Sequence, residues 1–93
     1  MSSPQPHRAI VLDASDNVAV ATADLAPGEQ VLAVTIGEPI PMGHKFATSA
    51  IGVDAHVYKY GEVIGVAIRE IPAGAHVHVH NVLSARLPGD AAR

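Results

Sequence analysis

A spacing pattern that recurs along the chain constrains its fold more than any other feature. An aliphatic residue is followed three positions later by a turn residue and three positions later again by Val. The copies are Leu25, Gly28, Val31; Ile51, Asp54, Val57; and Ile71, Gly74, Val77. Gly and Asp tolerate the positive φ that a tight reversal requires, and Pro27 and Pro72 preset φ at two of the turns. The pattern predicts that each copy joins two short strands, so that hairpins repeat along the chain.

The composition is typical of a small β-rich core. Hydrophobic residues make up 48% of the 93 residues but aromatic residues only 3%, so Val, Ile, Leu and Ala must form the core, which favours close-packed strands. Residues 37–43 contain two prolines, which cannot donate to a central ladder, and we predict a loop or an edge crossing there. We therefore predict an all-β fold, a compact and barrel-like domain of short strands and hairpins.

The domain is predicted to span residues 8–83. Residues 1–7 are rich in Ser, Pro and Gln and are predicted to be a flexible N-terminal lead. Residues 84–93, which end in small residues after a Pro-Gly-Asp turn, are predicted to be a flexible tail or the remnant of a linker. Within the domain we expect strands at residues 9–12 and 17–22, separated by a turn at residues 13–16.

The composition also excludes several classes of function. The chain has no cysteine, so a bound metal would have to use His, Asp, Glu or backbone oxygen ligands. The net charge is −3 and the six basic residues are scattered, which argues against a nucleic-acid partner. No signal-like leader and no apolar segment of about 20 residues is present, so we predict a cytoplasmic protein without a membrane partner.

Three of the six histidines lie in the strictly alternating segment Ala75–Val82. A strand there would turn Val77 and Val79 towards the core and all three histidines to the opposite face. At about 3.3 Å per residue, His76 and His80 would lie about 13 Å apart, so a straight strand offers at most a two-histidine half-site for a metal. The alternative interpretation is a solvent-facing edge on which the histidines keep the outer face polar.

Other polar segments have two interpretations each. Gly43-His44-Lys45 and Lys59-Tyr60-Gly61 place a cation beside a glycine, as suits the close approach of an anionic ligand, but each also fits an ordinary turn. Asp13, Asp16 and Asn17 fit a metal site, or a turn in which their side chains cap backbone amides.

The order of four motifs resembles that of the N-terminal domain of altronate dehydratase. The motifs are DNVAVA at 16–21, GHKFA at 43–47, KYG at 59–61 followed by Ile64-Gly65, and HVHVHN at 76–81. The resemblance, from about residue 13 to residue 82, implies a SAF or β-clip fold. It also implies a family that dehydrates sugar acids such as altronate and galactarate with Fe²⁺ or Mn²⁺, mainly through a large C-terminal domain. The chain is then expected to be a small subunit or standalone N-terminal domain that acts with a large catalytic subunit.

The resemblance leaves other functions open. One is the small (alpha) subunit of (2R)-sulfolactate sulfo-lyase, in which sulfite rather than water leaves. Another is a non-catalytic module that binds sugar acids. A third is a homo-oligomerisation domain that buries its histidine face against a second copy.

Site residues follow from the resemblance. Catalytic roles are expected for His44, Lys45, Lys59 and Tyr60; substrate binding for Lys45, Lys59, Gly61 and Asn81; and ligation of a metal shared with the partner subunit for His78, His80 and His44. The dehydration and the sulfite elimination share one reaction plan: a proton α to a carboxylate is removed and a β substituent leaves. Asp13 stands where relatives often carry His, so a ligand at that position would offer oxygen rather than nitrogen.

Overall fold

The computed structural model describes residues 8–84, and in this range it contains strands and no helix. The strands are β1 (Ala9–Ile10), β2 (Val18–Ala21), β3 (Gln30–Val31), β4 (Val34–Thr35), β5 (Lys45–Ala47), β6 (His56–Lys59), β7 (Glu62–Ala67), β8 (His76–Val77) and β9 (Val82–Ser84). They form three antiparallel sheets with the orders β1-β2-β5-β8, β3-β4 and β6-β7-β9. The predicted all-β fold is confirmed. Within residues 8–84 no helix exists that is long and apolar enough to cross a bilayer.

The predicted segment boundaries agree with the structure in part. The first strand is shorter than predicted and the second lies within its predicted range. The turn between them is closed by the Asp16 amide, which donates to the Asp13 carbonyl at 3.0 Å. The predicted lead at residues 1–7 and residues 85–93 of the predicted tail lie outside the described residues, whereas Ser84 is the last residue of β9.

The repeated turns are present as predicted. Gly28, Asp54 and Gly74 have φ values of 94°, 69° and 86°. In each copy the amide after this residue donates to the carbonyl three positions earlier, as from Glu29 to Ala26 at 3.1 Å. The aliphatic residue and the Val that flank each turn are all buried. Each copy of the pattern therefore consists of two buried residues separated by a tight turn.

These turns do not close hairpins, and that part of the prediction was wrong. The residue with positive φ donates its amide to a distant segment, as Gly74 does to the Ala47 carbonyl at 2.7 Å, so the chain on the two sides of the turn diverges. The flanking residues instead pair between copies, as in the bridge between Ile51 and Ile71. The hairpins are β3–β4, which turns at Leu32 and Ala33, and β6–β7, which turns at 60–61. Both central residues of each turn have positive φ, as type I′ turns require.

A fourth copy of the pattern lies partly in the segment predicted to be a loop. Ile40 and Phe46 are fully buried, and Gly43 between them has φ 87° and donates to the Ala21 carbonyl at 2.8 Å. Phe stands here where the other copies have Val, so the pattern defined by Val does not include this copy. This turn determines where His44 lies, because His44 follows it directly and precedes β5.

Candidate functional site

Four histidines from two distant segments form one cluster. The Nδ1 atom of His44 lies 2.9 Å from the Nε2 atom of His76 on β8. The ring of His78 stacks on that of His44 with centroids 4.8 Å apart, and the ring centroid of His80 lies 5.5 Å from that of His76. His44 and His76 are half-buried, whereas the other two are exposed. The cluster thus has a half-buried pair with two rings on its outer side.

The predicted histidine strand is wrong beyond Val77. Strand β8 ends there, the next residues form a turn, and Val79 is 79% exposed rather than in the core. The His78 amide donates to Asn81 Oδ1 at 2.9 Å, and Asn81 Nδ2 donates to the His76 carbonyl at 2.7 Å. Asn81 is buried, so its amide closes the turn from inside. The histidines therefore gather instead of lying in a straight row.

The cluster favours neutral histidine at its centre. Burial lowers the pKa of His76, and the neighbouring His44, His78 and His80 lower it further. The carboxylate of Glu38, which accepts a hydrogen bond from the His76 amide at 3.0 Å, acts in the opposite direction. A neutral imidazole has one free ring nitrogen for a metal or a proton.

Lys45 lies on the other face of its strand from His44. Lys45 pairs with Val77, while Phe46 pairs with His76, so alternation directs Lys45 to the face opposite His44 and His76. Burial lowers the pKa of Lys45, and the charge of Lys59 lowers it further. The GHK motif thus contributes to two environments, one on each face of the sheet.

An open groove of about 220 Å³ receives Lys45. Its lining is mostly apolar with a few polar side chains, and comprises Lys45, Ile64, Val77, His78, Val79, Val82 and Ser84. Ile64 is the extra residue at a register shift between β6 and β7, a bulge of the kind that re-aims a side chain. His78 both lines the groove and stacks on His44, so it connects the groove with the cluster.

The KYG motif forms the turn of the β6–β7 hairpin. The Asp16 carboxylate accepts the amides of Tyr60 at 3.0 Å and Gly61 at 2.8 Å, which confirms capping at Asp16. Lys59 Nζ lies 4.9 Å from the centroid of the Tyr60 ring, and Tyr60 is exposed. The Gly61 amide is engaged, and the Asp13 carboxyl group packs against the Gly61 α-carbon, so that a Cβ there would lie 3.2 Å from Asp13 Cγ.

Asp13 and Asn17 also serve as caps. Asp13 Oδ2 accepts both the amide and the hydroxyl of Ser15, at 2.9 and 2.6 Å. Asn17 docks the edge of β6, because its side chain donates to the His56 carbonyl at 3.0 Å and accepts from the Tyr58 amide at 2.8 Å. The capping interpretation is confirmed for these residues.

The ring nitrogens of the histidine pair are of the donor type that binds divalent metals. The 2.9 Å contact between His44 Nδ1 and His76 Nε2 is a hydrogen bond, so an ion bound by both nitrogens would have to replace it. Within residues 8–84, however, no three His, Asp or Glu side chains are placed to ligate one ion. An ion held here would take its remaining ligands from a partner or from substrate.

The structure brings together part of the predicted site and adds one residue. His44, His78 and His80 lie in one cluster, with Lys45 in the adjoining groove. His76, which the resemblance did not single out as a ligand, is the central member because it contacts all three other rings. The feature of the sequence that could have revealed this role of His76 is the fourth turn, because that turn places His44 beside strand β8, which carries His76.

Comparison with known proteins gives consistent matches. The model of the altronate/galactarate dehydratase SAF domain matches residues 7–85. Altronate dehydratase of Escherichia coli (strain K12) is 50% identical over 76 residues, which cover 77% of this chain and 15% of that enzyme. Galactarate dehydratase (L-threo-forming) of the same strain is 36% identical over 77 residues, 80% of this chain and 15% of the enzyme.

A relative of similar size is named for a different activity. The (2R)-sulfolactate sulfo-lyase subunit alpha of Chromohalobacter salexigens is 34% identical over 88 residues, which cover 83% of this chain and 94% of that subunit. The chain therefore spans only a small part of the two dehydratases but nearly all of the sulfo-lyase subunit.

Proposed function

The chain belongs to the altronate/galactarate dehydratase SAF domain family, and from this premise we propose that it is a small subunit or N-terminal-type domain of a sugar-acid dehydratase. It acts with a larger catalytic polypeptide, because the dehydratases it resembles contain far more chain than the matched part. The observation that carries the proposal is the position of His78, which lines the Lys45 groove and stacks on the histidine cluster.

In this proposal the two lysines bind the substrate carboxylate. Lys45 is half-buried in the groove, and Lys59 is close enough to affect its pKa. A partly desolvated ammonium interacts with a carboxylate more strongly than a fully hydrated one does. Tyr60 and Gly61 follow Lys59 in the β6–β7 turn, and the hydroxyl of the exposed Tyr60 would contact the substrate there.

Of the four histidines, His78 lines the groove. His78 contacts the leaving group or gives a proton to it, and the hydrogen-bonded pair of His44 and His76 then supplies a proton to His78. The base that removes the α proton belongs to the larger polypeptide. Asn81 holds His76 and His78 in place through its hydrogen bonds with the His76 carbonyl and the His78 amide.

A divalent metal, Fe²⁺ or Mn²⁺, is part of the proposal. The donor chemistry of His44 and His76 fits half of such a site, with His78 and His80 adjacent. When bound, the metal would stabilise the negative charge that develops on the substrate. The remaining metal ligands would come from the larger polypeptide.

The cytoplasm remains the predicted location of the protein.

Reconstitution tests this proposal. The tagged chain is co-expressed with a dehydratase-family polypeptide of its source organism, and elimination from altronate, galactarate and sulfolactate is followed with Fe²⁺ or Mn²⁺ present. We expect activity on a sugar acid and its loss in His78→Ala, with Gln30→Ala on strand β3 as the control. Near-normal turnover of His78→Ala would contradict the assigned role of His78.

The sulfo-lyase activity is the second candidate. It is favoured by the match over nearly the full length of a sulfo-lyase alpha subunit. The two activities differ in the leaving group, so the same assay distinguishes them: release of sulfite from sulfolactate, with no turnover of altronate or galactarate, would replace the first proposal with the second.

A binding module is the non-catalytic alternative. The groove with Lys45, together with the nearby Lys59, would then suffice for binding of a sugar acid by the isolated chain. Titration of the isolated chain with galactarate, followed by calorimetry, measures this directly. Saturable binding together with the absence of any family polypeptide that associates with the chain would favour a module over an enzyme component.

A further inference from the structure

The three-stranded sheet β6-β7-β9 has one face in the core and one face open to solvent. On the inner face Val57 and Ala67 are fully buried. The cross-strand pairs His56 with Val66, Tyr58 with Val63 and Val66 with Leu83 define the opposite face. We call this surface the outer face; its residues are His56, Tyr58, Val63, Val66, Ile68 and Leu83.

The outer face is mostly aliphatic, with His56 and Tyr58 as its two residues that carry polar groups. Ile68 is 49% exposed and Leu83 is 66% exposed, and none of the six side chains carries a formal charge when His is neutral. A β-sheet normally buries one face and covers the other with polar side chains. A contiguous apolar sheet face is the kind of surface that another protein covers.

We propose that the outer face is the surface on which the larger polypeptide of the family docks. This inference rests on the proposed function, since it assumes that such a partner exists. The relatives support this occupant: in the dehydratases the matched part is joined to a much longer chain, and in the sulfo-lyase it is by name a subunit.

The position of strand β9 also favours this occupant. The part of altronate dehydratase that matches is its N-terminal region, so in that enzyme the remaining polypeptide follows the domain. Residue 84 ends β9, the strand that carries Leu83. A polypeptide that continues from β9 therefore starts at the border of the outer face.

The outer face is too small to form the whole interface with the larger polypeptide. The three strands have four, six and three residues, and at about 3.3 Å per residue and about 4.8 Å between strands they cover only roughly 200 Å². A stable interface buries about 800 Å² on each partner. The outer face is therefore the apolar centre of a larger contact, where Tyr58 has the residue type that often dominates binding.

Charge substitutions at two exposed positions test the docking surface. The full chain is paired with the dehydratase-family polypeptide of its source organism, identified by its sequence, and the Kd is measured by biolayer interferometry. We expect Leu83→Glu and Ile68→Glu each to weaken binding by at least about tenfold, because a carboxylate at the apolar centre would lose its hydration. Leu32→Glu, on the β3–β4 hairpin and 47% exposed, is the matched control and should bind as the wild type does.

Hydrogen exchange provides a second readout. The amides of 56–58, 63–68 and 82–84 should exchange more slowly in the complex than in the free chain, whereas those of 30–35 should not change. The wild-type chain and both variants are first compared by urea unfolding, so that weak binding is not mistaken for loss of fold.

Each other outcome contradicts a specific claim. If the wild-type chain binds no family polypeptide, the proposed function and the docking surface both fail. If it binds but Leu83→Glu binds equally well, only the docking surface fails. A stable dimer of the chain alone that Leu83→Glu dissociates would show that a second copy covers the outer face, and would also overturn the inference.

Discussion

His44 Nδ1 and His76 Nε2 lie 2.9 Å apart although the residues are 32 positions apart in sequence. At this distance one nitrogen must donate a proton and the other must accept it. The pair is therefore compatible with two neutral rings or with one shared charge, but two charged rings would repel each other. The stability of the cluster depends on this proton count.

We predict that the metal-free chain becomes less stable as the pH falls through the ordinary histidine range. The pKa of His76 is lowered in the fold, chiefly by burial and then by the three other histidines, against the opposing charge of Glu38. Below about pH 6.5 the unfolded chain binds a proton at His76 that the folded chain still excludes, so the free energy of unfolding must decrease.

Urea unfolding at a series of pH values between about 8 and about 5 measures this dependence. His76→Gln removes the titrating group and keeps a polar side chain, and it should flatten the curve. An equal slope in the wild type and in His76→Gln would show that the pH dependence arises from other groups.

A second prediction concerns Asn81. Both ends of its buried amide are bonded, to the His78 amide and the His76 carbonyl. Asn81→Ala should lower the free energy of unfolding by about 1–3 kcal/mol, because two backbone groups lose their partner. His80→Ala, in the same turn but exposed, should change it by less than about 0.5 kcal/mol.

Chemical denaturation gives these values, and the histidine ring signals in NMR spectra show whether the cluster persists. If Asn81→Ala were as stable as His80→Ala and kept the same histidine chemical shifts, Asn81 would not be what closes the turn.

Local pattern predicted the turns but not their pairing. The positive φ at Gly28, Asp54 and Gly74 follows from residue type, and burial of the flanking aliphatic residues follows from their spacing. Which strand each turn faces depends on long-range bonds, such as that from Gly74 to Ala47. Such bonds leave no local trace in the sequence, so hairpins were predicted where none exist.

The histidine segment shows the same limit at the site. Strict alternation is typical of a strand, yet the side chain of Asn81 competes for the backbone of His76 and His78 and ends the strand. Asn favours such local bonds, but the sequence alone does not reveal that Asn81 is buried. The family resemblance still pointed to His44 and His78 as site residues. It rests on the order of motifs along the chain, which does not depend on the local backbone conformation.

A third prediction compares two glycines of the repeated pattern. Gly74 and Gly28 both have positive φ, so alanine at either position is strained by about 1 kcal/mol or more. A Cβ at Gly74 would in addition collide with the Thr35 carbonyl, whereas a Cβ at Gly28 meets nothing within 4 Å.

We expect Gly28→Ala to fold with a modest loss of stability and Gly74→Ala to lose roughly 3 kcal/mol or more. Thermal unfolding of the two variants provides the comparison. Equal melting temperatures would mean that the segment around Thr35 moves aside, and that packing at the Gly74 turn is looser than the structure shows.

The last prediction separates function from stability at Lys45. Burial and the charge of Lys59 both lower the pKa of Lys45, so the folded chain holds this ammonium at a cost. Lys45→Met keeps the length of the side chain and removes the charge, so the isolated variant should be at least as stable as the wild type in urea. In the reconstituted enzyme the same variant should raise KM for the sugar acid by about tenfold or more, since a carboxylate loses its cation. Gln30→Ala, on strand β3, should leave KM unchanged. Such a combination is typical of a residue that serves binding at the expense of the fold. If Lys45→Met were instead less stable with an unchanged KM, Lys45 would be a structural residue of the groove, and the carboxylate would have to bind elsewhere.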